Sequence, residues 1–336
     1  MGSHRRPAPS GFDRGARGAT LCVLTAAAAA LGVLPAGAAP QDDSRAEVDR
    51  LYEEAEQATE SYNKADERAD TLREQVGRSQ DRIARQQDRI NTMRDALGSL
   101  AGAQYRSGGL DPSLALMFSD DPEEYLDKAA ALDRISARQA GELRELQGAM
   151  RDLAQEREEA TRKLSELDRS RKAVARHKRT VEQKLSKARR LLNAMPEGDR
   201  AAFDRASRSG RTPDLTGAVP SSGRAAAAVA AARSALGRPY VWGANGPTGF
   251  DCSGLTQWSY AQAGVGLPRT SQAQAHAGRP VPLSQAQPGD IVTYRGDASH
   301  VGMYVGNGQV IHAPYPGAPV RYDPVGMMPV NTVTRP

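Results

Sequence analysis

Two long stretches of the chain place an apolar residue at every third or fourth position. This spacing is the signature of helices that pair along a seam. The first stretch spans residues 48–100 and the second spans residues 132–192. Glycine pairs and Asp-Pro steps lie between them, and Asp followed by Pro suits a helix N-cap and its first helical position. The pattern predicts a coiled-coil helical hairpin over residues 41–195.

The two seams differ in quality. The first contains only Ser79 and Gln86 as polar positions, and its helix should be about 80 Å long at 1.5 Å per residue. The second is interrupted by charged residues, and a short capped helix is expected near the bend at residues 114–118. Many seam positions are Ala or Arg, which indicates a weak pairing. The hairpin is predicted to serve either as a spacer or as a regulatory, partner-binding arm. The predicted positions of the second seam are Leu132, Gln139, Leu143, Leu146, Met150, Leu153, Ala160, Leu164, Leu167, Val174, Val181, Leu185, Ala188 and Leu192, interrupted by Arg157, Arg171 and Lys178.

The N-terminal residues have the features of a secretory signal peptide. Four arginines precede an apolar run of sixteen residues, 19–34, which is short for a membrane-spanning helix. An A-x-A-like site follows and predicts cleavage after Ala38, so residues 1–38 are assigned as the signal peptide. The Arg5-Arg6 pair leaves open whether export is general or twin-arginine dependent. The mature protein is predicted to be secreted to the cell envelope.

The rest of the chain divides into a linker and a second domain. Residues 196–224 are rich in Pro, Gly, Ser and Arg without periodicity, which predicts a flexible linker. Residues 225–336 hold both tryptophans and enough chain for one hydrophobic core. Helices followed by an antiparallel meander predict an α+β domain here. The expected helices are 225–236 and 253–263, and the expected strands are 290–294, 300–305 and 309–312.

Cys252 is the only cysteine that remains after removal of the signal peptide, which contains Cys22. A lone thiol in an exported protein is either buried and inert or used chemically. Cys252 opens a predicted helix, where the macrodipole and unpaired N–H groups stabilise a thiolate and lower the pKa of the thiol. The same N–H groups can receive an oxyanion. Cys252 is therefore the candidate nucleophile.

Two histidines on neighbouring predicted strands are the candidate bases. A two-residue loop of Asn307-Gly308 would pair residues whose numbers sum to 615 and place the histidines on opposite faces. A three-residue loop of Gly306-Asn307-Gly308 with a bulge instead gives pairs that sum to 614, and this register is the one predicted. His312 then faces Gly302, and His300 becomes its diagonal neighbour on the same face. In this register His300 is the base and His312 orients it. A zinc site built from the cysteine and both histidines is a weaker alternative because no close ligand spacing is present, so no metal or other cofactor is expected.

Charge argues against a nucleic-acid-binding function. The chain has 45 basic and 40 acidic side chains, for a formal net charge of +5. No segment has the dense positive field that a nucleic-acid-binding domain requires.

Four ordered motifs within residues 225–330 resemble the NlpC/p60 cell-wall peptidases. The resemblance implies a papain-like core with Cys252 as nucleophile, His300 as base and His312 as orienting residue. Tyr240 matches a tyrosine whose hydroxyl lies near the oxyanion. Substrate-groove positions are matched by Asp251, Ser253, Arg269 and Ser271. The motifs are Arg238-Pro239-Tyr240-Val241-Trp242-Gly243, Asp251-Cys252-Ser253-Gly254-Leu255, Ser299-His300-Val301-Gly302-Met303-Tyr304 and Val310-Ile311-His312-Ala313.

The resemblance also implies a substrate and a partner. The family cleaves peptidoglycan stem peptides, commonly between D-glutamate and a diaminopimelate-type residue. Relatives with a similar coiled coil are division-associated hydrolases, which implies a membrane FtsEX-type complex as partner. Two alternatives remain open: an acyltransferase or amidase on the same fold, and a coiled-coil wall adaptor with weak or no catalysis.

Overall fold

The computed structural model describes residues 40–106, 122–208 and 213–336. The predicted signal peptide and the short helix expected at residues 114–118 lie outside these ranges. Within them, no helix combines the length and the apolar character needed to cross a membrane.

The predicted helical hairpin is confirmed. Helix α1 spans Pro40–Arg106, 67 residues, and helix α2 spans Pro122–Ala194, 73 residues. At 1.5 Å per residue α1 is about 100 Å long, somewhat longer than its apolar seam alone predicted. Helix α2 begins at Pro122, at the Asp-Pro step where the sequence predicted a helix start. The two helices are called the arm below.

The apolar seam buries half of its predicted members. Removing these side chains from water is the main source of stability for a hairpin whose other faces are charged. Ion pairs between the helices, such as Arg68–Glu166 at 2.7 Å, are exposed and add little. The buried seam residues are Val48, Leu51, Ala55, Ala58, Ala69, Leu72, Val76, Ile90, Leu153, Ala160, Leu167, Val181, Leu185 and Ala188.

One column of the predicted second seam is wrong. Leu143, Met150 and Leu164 are 44–48% exposed, and the charged residues predicted to interrupt this column are exposed too. Over residues 149–177 helix α2 instead turns inward the residue that directly precedes each position of this column, one residue in every heptad. Polar side chains are accepted there because they find partners across the seam. Those inward residues are Ala149, Glu156, Lys163, Ser170 and His177.

Hydrogen bonds to helix α1 account for this shift. Glu156 pairs with Arg82 at 2.7 Å, and the Ser170 hydroxyl donates to the Ala65 carbonyl at 2.7 Å. Lys163 donates to the buried Ser79 hydroxyl at 3.3 Å. The seam is therefore partly polar, a feature that apolar periodicity does not detect.

The first part of the predicted linker is helical, so the expectation of an unstructured linker over residues 196–224 is wrong there. Helix α3 spans Glu197–Arg208, with Glu197 and Asp199 favourably placed at its positive N-terminal end. Phe203 anchors it, because its buried ring lies 6.4 Å from that of Tyr52. Residues 213–222 contain no regular element.

The C-terminal domain has the predicted α+β architecture. Its six-stranded antiparallel sheet has the order β1-β6-β2-β3-β4-β5. The predicted helices and strands are all present within one or two residues. The elements are α4 (Gly223–Ser234), α5 (Cys252–Gln262), α6 (Ser271–Gln274), β1 (Arg279–Pro280), a 3₁₀ turn (Leu283–Gln285), β2 (Ile291–Tyr294), β3 (His300–Gly306), β4 (Gln309–His312), β5 (Arg321–Pro324) and β6 (Val330–Arg335).

The sheet buries both of its faces. Helices α4 and α5 pack against one face, where Ile291, Val301, Met303 and Ile311 are completely buried. Strand alternation turns His300 and His312 to the opposite face, beside Tyr294.

The arm packs against this domain through aromatic contacts. Tyr52 of α1 stacks on Tyr315 with ring centroids 5.1 Å apart, and Tyr62 meets the edge of Trp242 at 5.2 Å. A side chain on Gly243 would lie 3.2 Å from the Tyr62 ring, so the glycine allows the close approach. These contacts hold the segment 52–63 of α1 over the domain.

Candidate active site

Cys252 is the first residue of α5, as the sequence predicted. The carboxylate of Asp251 caps the helix by accepting the Gly254 N–H at 2.7 Å. It also accepts the Gly243 N–H at 3.0 Å and pairs with Arg269 at 2.6 Å. Because Asp251 is completely buried, these bonds fix the start of the helix and with it the position of the thiol.

The histidines adopt the predicted register. Met303 pairs with Ile311 and Tyr304 with Val310, so paired residue numbers sum to 614. The predicted three-residue loop is wrong, because Gly306 pairs with Gln309 and leaves a two-residue turn at 307–308 next to a bulge. Asn and Gly there both adopt positive φ, which this turn type requires.

The two histidines and a carboxylate form a continuous hydrogen-bonded chain. His300 Nε2 lies 2.7 Å from His312 Nδ1, and His312 Nε2 lies 2.7 Å from Asp323 Oδ2. A ring nitrogen of His300 lies within 4.8 Å of Cys252 Sγ. The structure therefore brings Cys252, His300 and His312 together in the order that thiol catalysis requires.

Three polar side chains of α1 fill the space above the thiol. Glu56, Glu60 and Asn63 lie on one face of the helix, and each is at most 4% exposed. Glu60 accepts the Ser253 hydroxyl at 2.7 Å and the Ser271 N–H at 2.8 Å, and its Oε1 lies 3.8 Å from Cys252 Sγ.

The other two inserted side chains are also partnered. Asn63 donates to the Asp251 carboxylate at 3.1 Å, and Glu56 pairs with Arg295 at 2.7 Å and hydrogen-bonds His300 Nδ1. Cys252 is only 1% exposed as a result, so a peptide cannot reach its sulfur while the arm is docked.

The arm reverses the expected acidity of the thiol. The sequence predicted a lowered pKa for Cys252 because of the helix N-terminus, and this prediction is wrong for the closed state. Burial raises the pKa of Cys252 well above its ordinary value, and the nearby carboxylates of Glu56, Glu60 and Asp251 raise it further. The helix terminus is present, but desolvation and three acidic neighbours outweigh it.

Hydrogen bonds engage both ring nitrogens of His300. Burial lowers the pKa of His312 to about 4, so this ring is neutral near pH 7. Its Nε2 donates to Asp323, so its Nδ1 accepts the Nε2 proton of His300. Burial alone would raise the pKa of Glu56, but His300 and Arg295 hold it below its usual range. Glu56 hydrogen-bonds the other ring nitrogen, Nδ1, so both nitrogens of His300 are engaged in this structure.

The family comparison agrees with this geometry. Residues 237–333 match the family model described as NlpC/P60 family. The C-terminal domain belongs to the NlpC/P60 family.

Curated relatives match this NlpC/P60 domain. A probable endopeptidase of Corynebacterium glutamicum is 49% identical over 118 residues, which are 35% of this chain and 56% of the relative. A probable endopeptidase of Mycobacterium tuberculosis is 52% identical over 99 residues, 30% of this chain and 26% of the relative. The chain thus spans about a quarter to just over half the length of these relatives.

Among solved structures, the chain is similar to the NlpC/p60 domain of the peptidoglycan hydrolase SagA. The two are 37% identical, and the match covers 33% of this chain and 98% of that one, with a TM-score of 0.32.

The remaining predicted site residues lie around Cys252 in the NlpC/P60 domain. Tyr240 is buried, and burial, Cys252 and the arm carboxylates raise the pKa of its phenol, so it keeps its proton. Ser253 and Arg269 contact each other at 2.9 Å. The Ser271 backbone N–H binds the arm, whereas its buried hydroxyl has no hydrogen-bond partner within the described residues.

The alternative of a zinc site can be compared with the donor atoms present. Glu56, Cys252 and His300 offer three buried donors within 4.8 Å of one another. Both oxygens of Glu56 are already used, one by His300 and one by Arg295. This donor set is arranged as an ion-paired network, which fits proton chemistry better than metal coordination.

Sequence analysis did not identify the arm residues or Asp323. Glu56 and Glu60 resemble the many exposed acids of a charged helix. One signal was available, because α1 has no basic residue between Arg50 and Lys64 and is rich there in Ala, Ser and Thr. Small residues permit close approach of a second surface, and the absence of Lys and Arg fits a face that meets Arg269 and Arg295.

Proposed function

We propose that the chain is a secreted cysteine endopeptidase that hydrolyses stem-peptide amide bonds in peptidoglycan and is held inactive by its arm. The observation that carries the proposal is the chain of contacts from Cys252 through His300 to His312 at the start of a capped helix. The names of the matched relatives, probable endopeptidase and peptidoglycan hydrolase, support the reaction class.

The geometry supports a two-step acyl transfer once the arm has left. His300 Nδ1 takes the proton of Cys252, and the thiolate attacks the peptide carbonyl carbon. The N–H groups of the first turn of α5 and the Tyr240 hydroxyl stabilise the oxyanion. His300 returns its proton to the leaving amine, and an acyl-cysteine remains. Water then attacks this thioester with His300 as base, which releases the acid and restores the thiol.

The groove beside the thiol favours a carboxylate-bearing peptide. The Ser253 hydroxyl and the Ser271 N–H hold the carboxylate of Glu60 in the closed state, with the guanidinium of Arg269 nearby. Stem peptides carry such carboxylates on D-glutamate and on diaminopimelate. We therefore expect the D-glutamyl–diaminopimelate bond to be the one cleaved.

The arm inhibits in two ways. It excludes substrate from Cys252, and Glu56 occupies the nitrogen of His300 that must accept the thiol proton. Because the arm's seam is partly polar, a partner helix could replace its internal contacts at modest cost. A membrane division complex of the FtsEX type fits this role by resemblance alone.

The experiment compares two forms of the mature chain beginning at Ala39. In the variant E56R/E60R, the introduced arginines face Arg295 and Arg269, so charge repulsion should expel the arm while α1 stays helical. Purified peptidoglycan is digested and the products are identified by mass spectrometry.

We expect the variant to release fragments that end in D-glutamate and fragments that begin with the diamino acid. The triple variant E56R/E60R/C252A should release none. Fragments from other bonds would redirect the proposal to an amidase, and transfer of the acyl group to an added amine would indicate an acyltransferase. If the arm-repelling variant releases nothing, the adaptor interpretation is favoured.

A further inference from the structure

Strand β5 places an acidic residue beside the second histidine. His312 pairs with Arg321 and Val310 pairs with Asp323 across β4 and β5. Asp323 is therefore a same-face diagonal neighbour of His312, in the same relation that His312 has to His300. Three adjacent strands thus carry a diagonal row of His300, His312 and Asp323.

The contact between Asp323 and His312 is direct and sheltered. The Nε2–Oδ2 distance is 2.7 Å, with the side chains 1% and 20% exposed respectively. Arg321 Nε approaches the same oxygen at 2.7 Å. Burial raises the pKa of Asp323, but its bonds to His312 and Arg321 lower it below the ordinary value, so the carboxylate is ionised near neutral pH.

We propose that Asp323 is a positioning residue that sets the proton arrangement of both histidines. This inference rests on the cysteine-peptidase function proposed above. An ionised Asp323 accepts only, so His312 must carry its proton on Nε2 and present a lone pair at Nδ1. That lone pair holds the Nε2 proton of His300, and His300 Nδ1 is left to exchange protons with Cys252.

The negative charge has a second effect when the thiol ionises. His300 becomes an imidazolium at that moment, and the anion behind His312 stabilises it through the intervening ring. The charged and titratable groups that face this row are Arg321 on β5, the Tyr294 hydroxyl on β2 and, with the arm docked, Glu56 on α1. Asp323 raises the pKa of Tyr294, which is consistent with their proximity.

A purely structural role is the competing explanation, because the Arg321–Asp323 pair could simply secure β5. The two roles differ in what they do to Cys252. A positioning residue changes the pH at which the thiolate–imidazolium pair forms, whereas a structural residue changes only the amount of folded protein.

The test uses the mature chain, in which Cys252 is the only cysteine. The E56R/E60R substitutions form the background, so that the thiol is accessible. The variants D323A, D323N and D323E are compared with Arg321→Gln. Alkylation of Cys252 by iodoacetamide is measured from pH 5 to 9, along with kcat, KM and the thermal midpoint.

We expect D323A to lower kcat by about 10- to 100-fold with little change in KM, the effect of losing one hydrogen bond to a charged group. Its alkylation profile should move upward by about one pH unit, because a tenfold change in that equilibrium corresponds to one unit. D323N should show the same upward shift, since it retains an acceptor without the charge, and D323E should recover part of the activity. R321Q removes a positive charge beside the same row and leaves the Asp323 carboxylate in place, so its profile should move slightly downward, opposite to that of D323A.

An alkylation profile in D323A that coincides with the parent's would overturn the inference, and so would an equal shift in R321Q. Alkylation does not depend on hydrolysis. If the background variant fails to cleave peptidoglycan, the proposed function is wrong, yet the profile still reports whether Asp323 controls the Cys252–His300 pair.

Discussion

Glu56 hydrogen-bonds Nδ1 of His300, although 244 residues separate them in the sequence. The same imidazole nitrogen must be free to accept the proton of Cys252. One carboxylate of the arm therefore occupies the nitrogen that the proposed mechanism needs, and under the function proposed above this contact holds the enzyme inactive.

Replacing Glu56 by Gln should therefore activate the mature chain. Glutamine fits the same space but lacks the charge of the carboxylate that hydrogen-bonds His300 Nδ1. We expect the initial rate of peptidoglycan release to rise roughly tenfold, the effect of losing one charge-assisted hydrogen bond from the docked state. Glu67→Gln, an exposed change on the same helix, is the matched control and should have no effect. Equal rates for both variants would contradict the role of Glu56.

Docking of the arm should weaken as the pH rises from about 5 to about 7. Burial and the neighbouring Asp251 raise the pKa of docked Glu60 to about 7, so the docked state binds a proton that the free arm has lost above its ordinary pKa of 4.5. Docking lowers the pKa of Glu56, so Glu56 changes the free energy of docking in the opposite direction. That change occurs only below pH 4.5, outside this window.

Small-angle scattering of the mature chain measures this opening as an increase in the radius of gyration. Glu60→Gln can keep an acceptor for Ser253 and Ser271 without titrating, so it should remove most of the change between pH 5 and 7. A radius that rises identically in both proteins would show that Glu60 is not the titrating group.

The catalytic assignments predict a graded loss of activity in the E56R/E60R background. Cys252→Ala should abolish hydrolysis. His300→Ala should lose about 10²–10⁴-fold, because both the thiol and the leaving amine lose their proton partner. His312→Ala should lose less, since it affects orientation and not the proton itself. Initial rates on purified peptidoglycan measure the series, and wild-type rates in both histidine variants would end the assignment.

A chelator is the control for the zinc alternative. Activity should survive prolonged treatment with EDTA, since no step of the thiol mechanism uses a metal. Loss of activity that added Zn²⁺ restores would support a metal centre instead.

The corrected seam predicts different costs for two neighbouring leucines of α2. Leu167 is 5% exposed and packs with Ala69 and Leu72, whereas Leu164 is 48% exposed. Leu167→Ala should lower the free energy of unfolding by about 2–5 kcal/mol, and Leu164→Ala by less than about 0.5 kcal/mol. Denaturant unfolding of the mature chain distinguishes them. A larger cost at Leu164 would restore the apolar column that the sequence predicted.

Much of the fold follows from local pattern. The heptads predicted both arm helices. The register that brings His300 beside His312 was predicted correctly but from a three-residue loop, whereas the structure reaches it with a two-residue turn at Asn307-Gly308 and a bulge. These features depend on residues close in sequence. The second seam was misplaced because Ser170 and Lys163 enter it through specific hydrogen bonds to α1, and such partners are not visible in apolar spacing.

The closed site could not be predicted for a different reason. The raised pKa of Cys252 comes first from burial and then from Glu56 and Glu60, two carboxylates of the arm that are remote in sequence, with the adjacent Asp251 adding to it. Local pattern correctly placed the thiol at a helix N-terminus but contained no information about what covers it. Helix α3 was missed similarly, since Phe203, which anchors it, packs on Tyr52 and Tyr315 from two other parts of the chain.

In this structure the arm closes the site over Cys252, and the rate at which iodoacetamide alkylates the thiol measures that closure. The mature chain should react at least about tenfold more slowly than E56R/E60R at pH 7.5, because each 1.4 kcal/mol of docking energy lowers the open fraction about tenfold. Both proteins should react equally fast in denaturant, which confirms that the thiol itself is intact. Equal rates for the two folded proteins would contradict the account, since Cys252 would then be accessible with the arm in place.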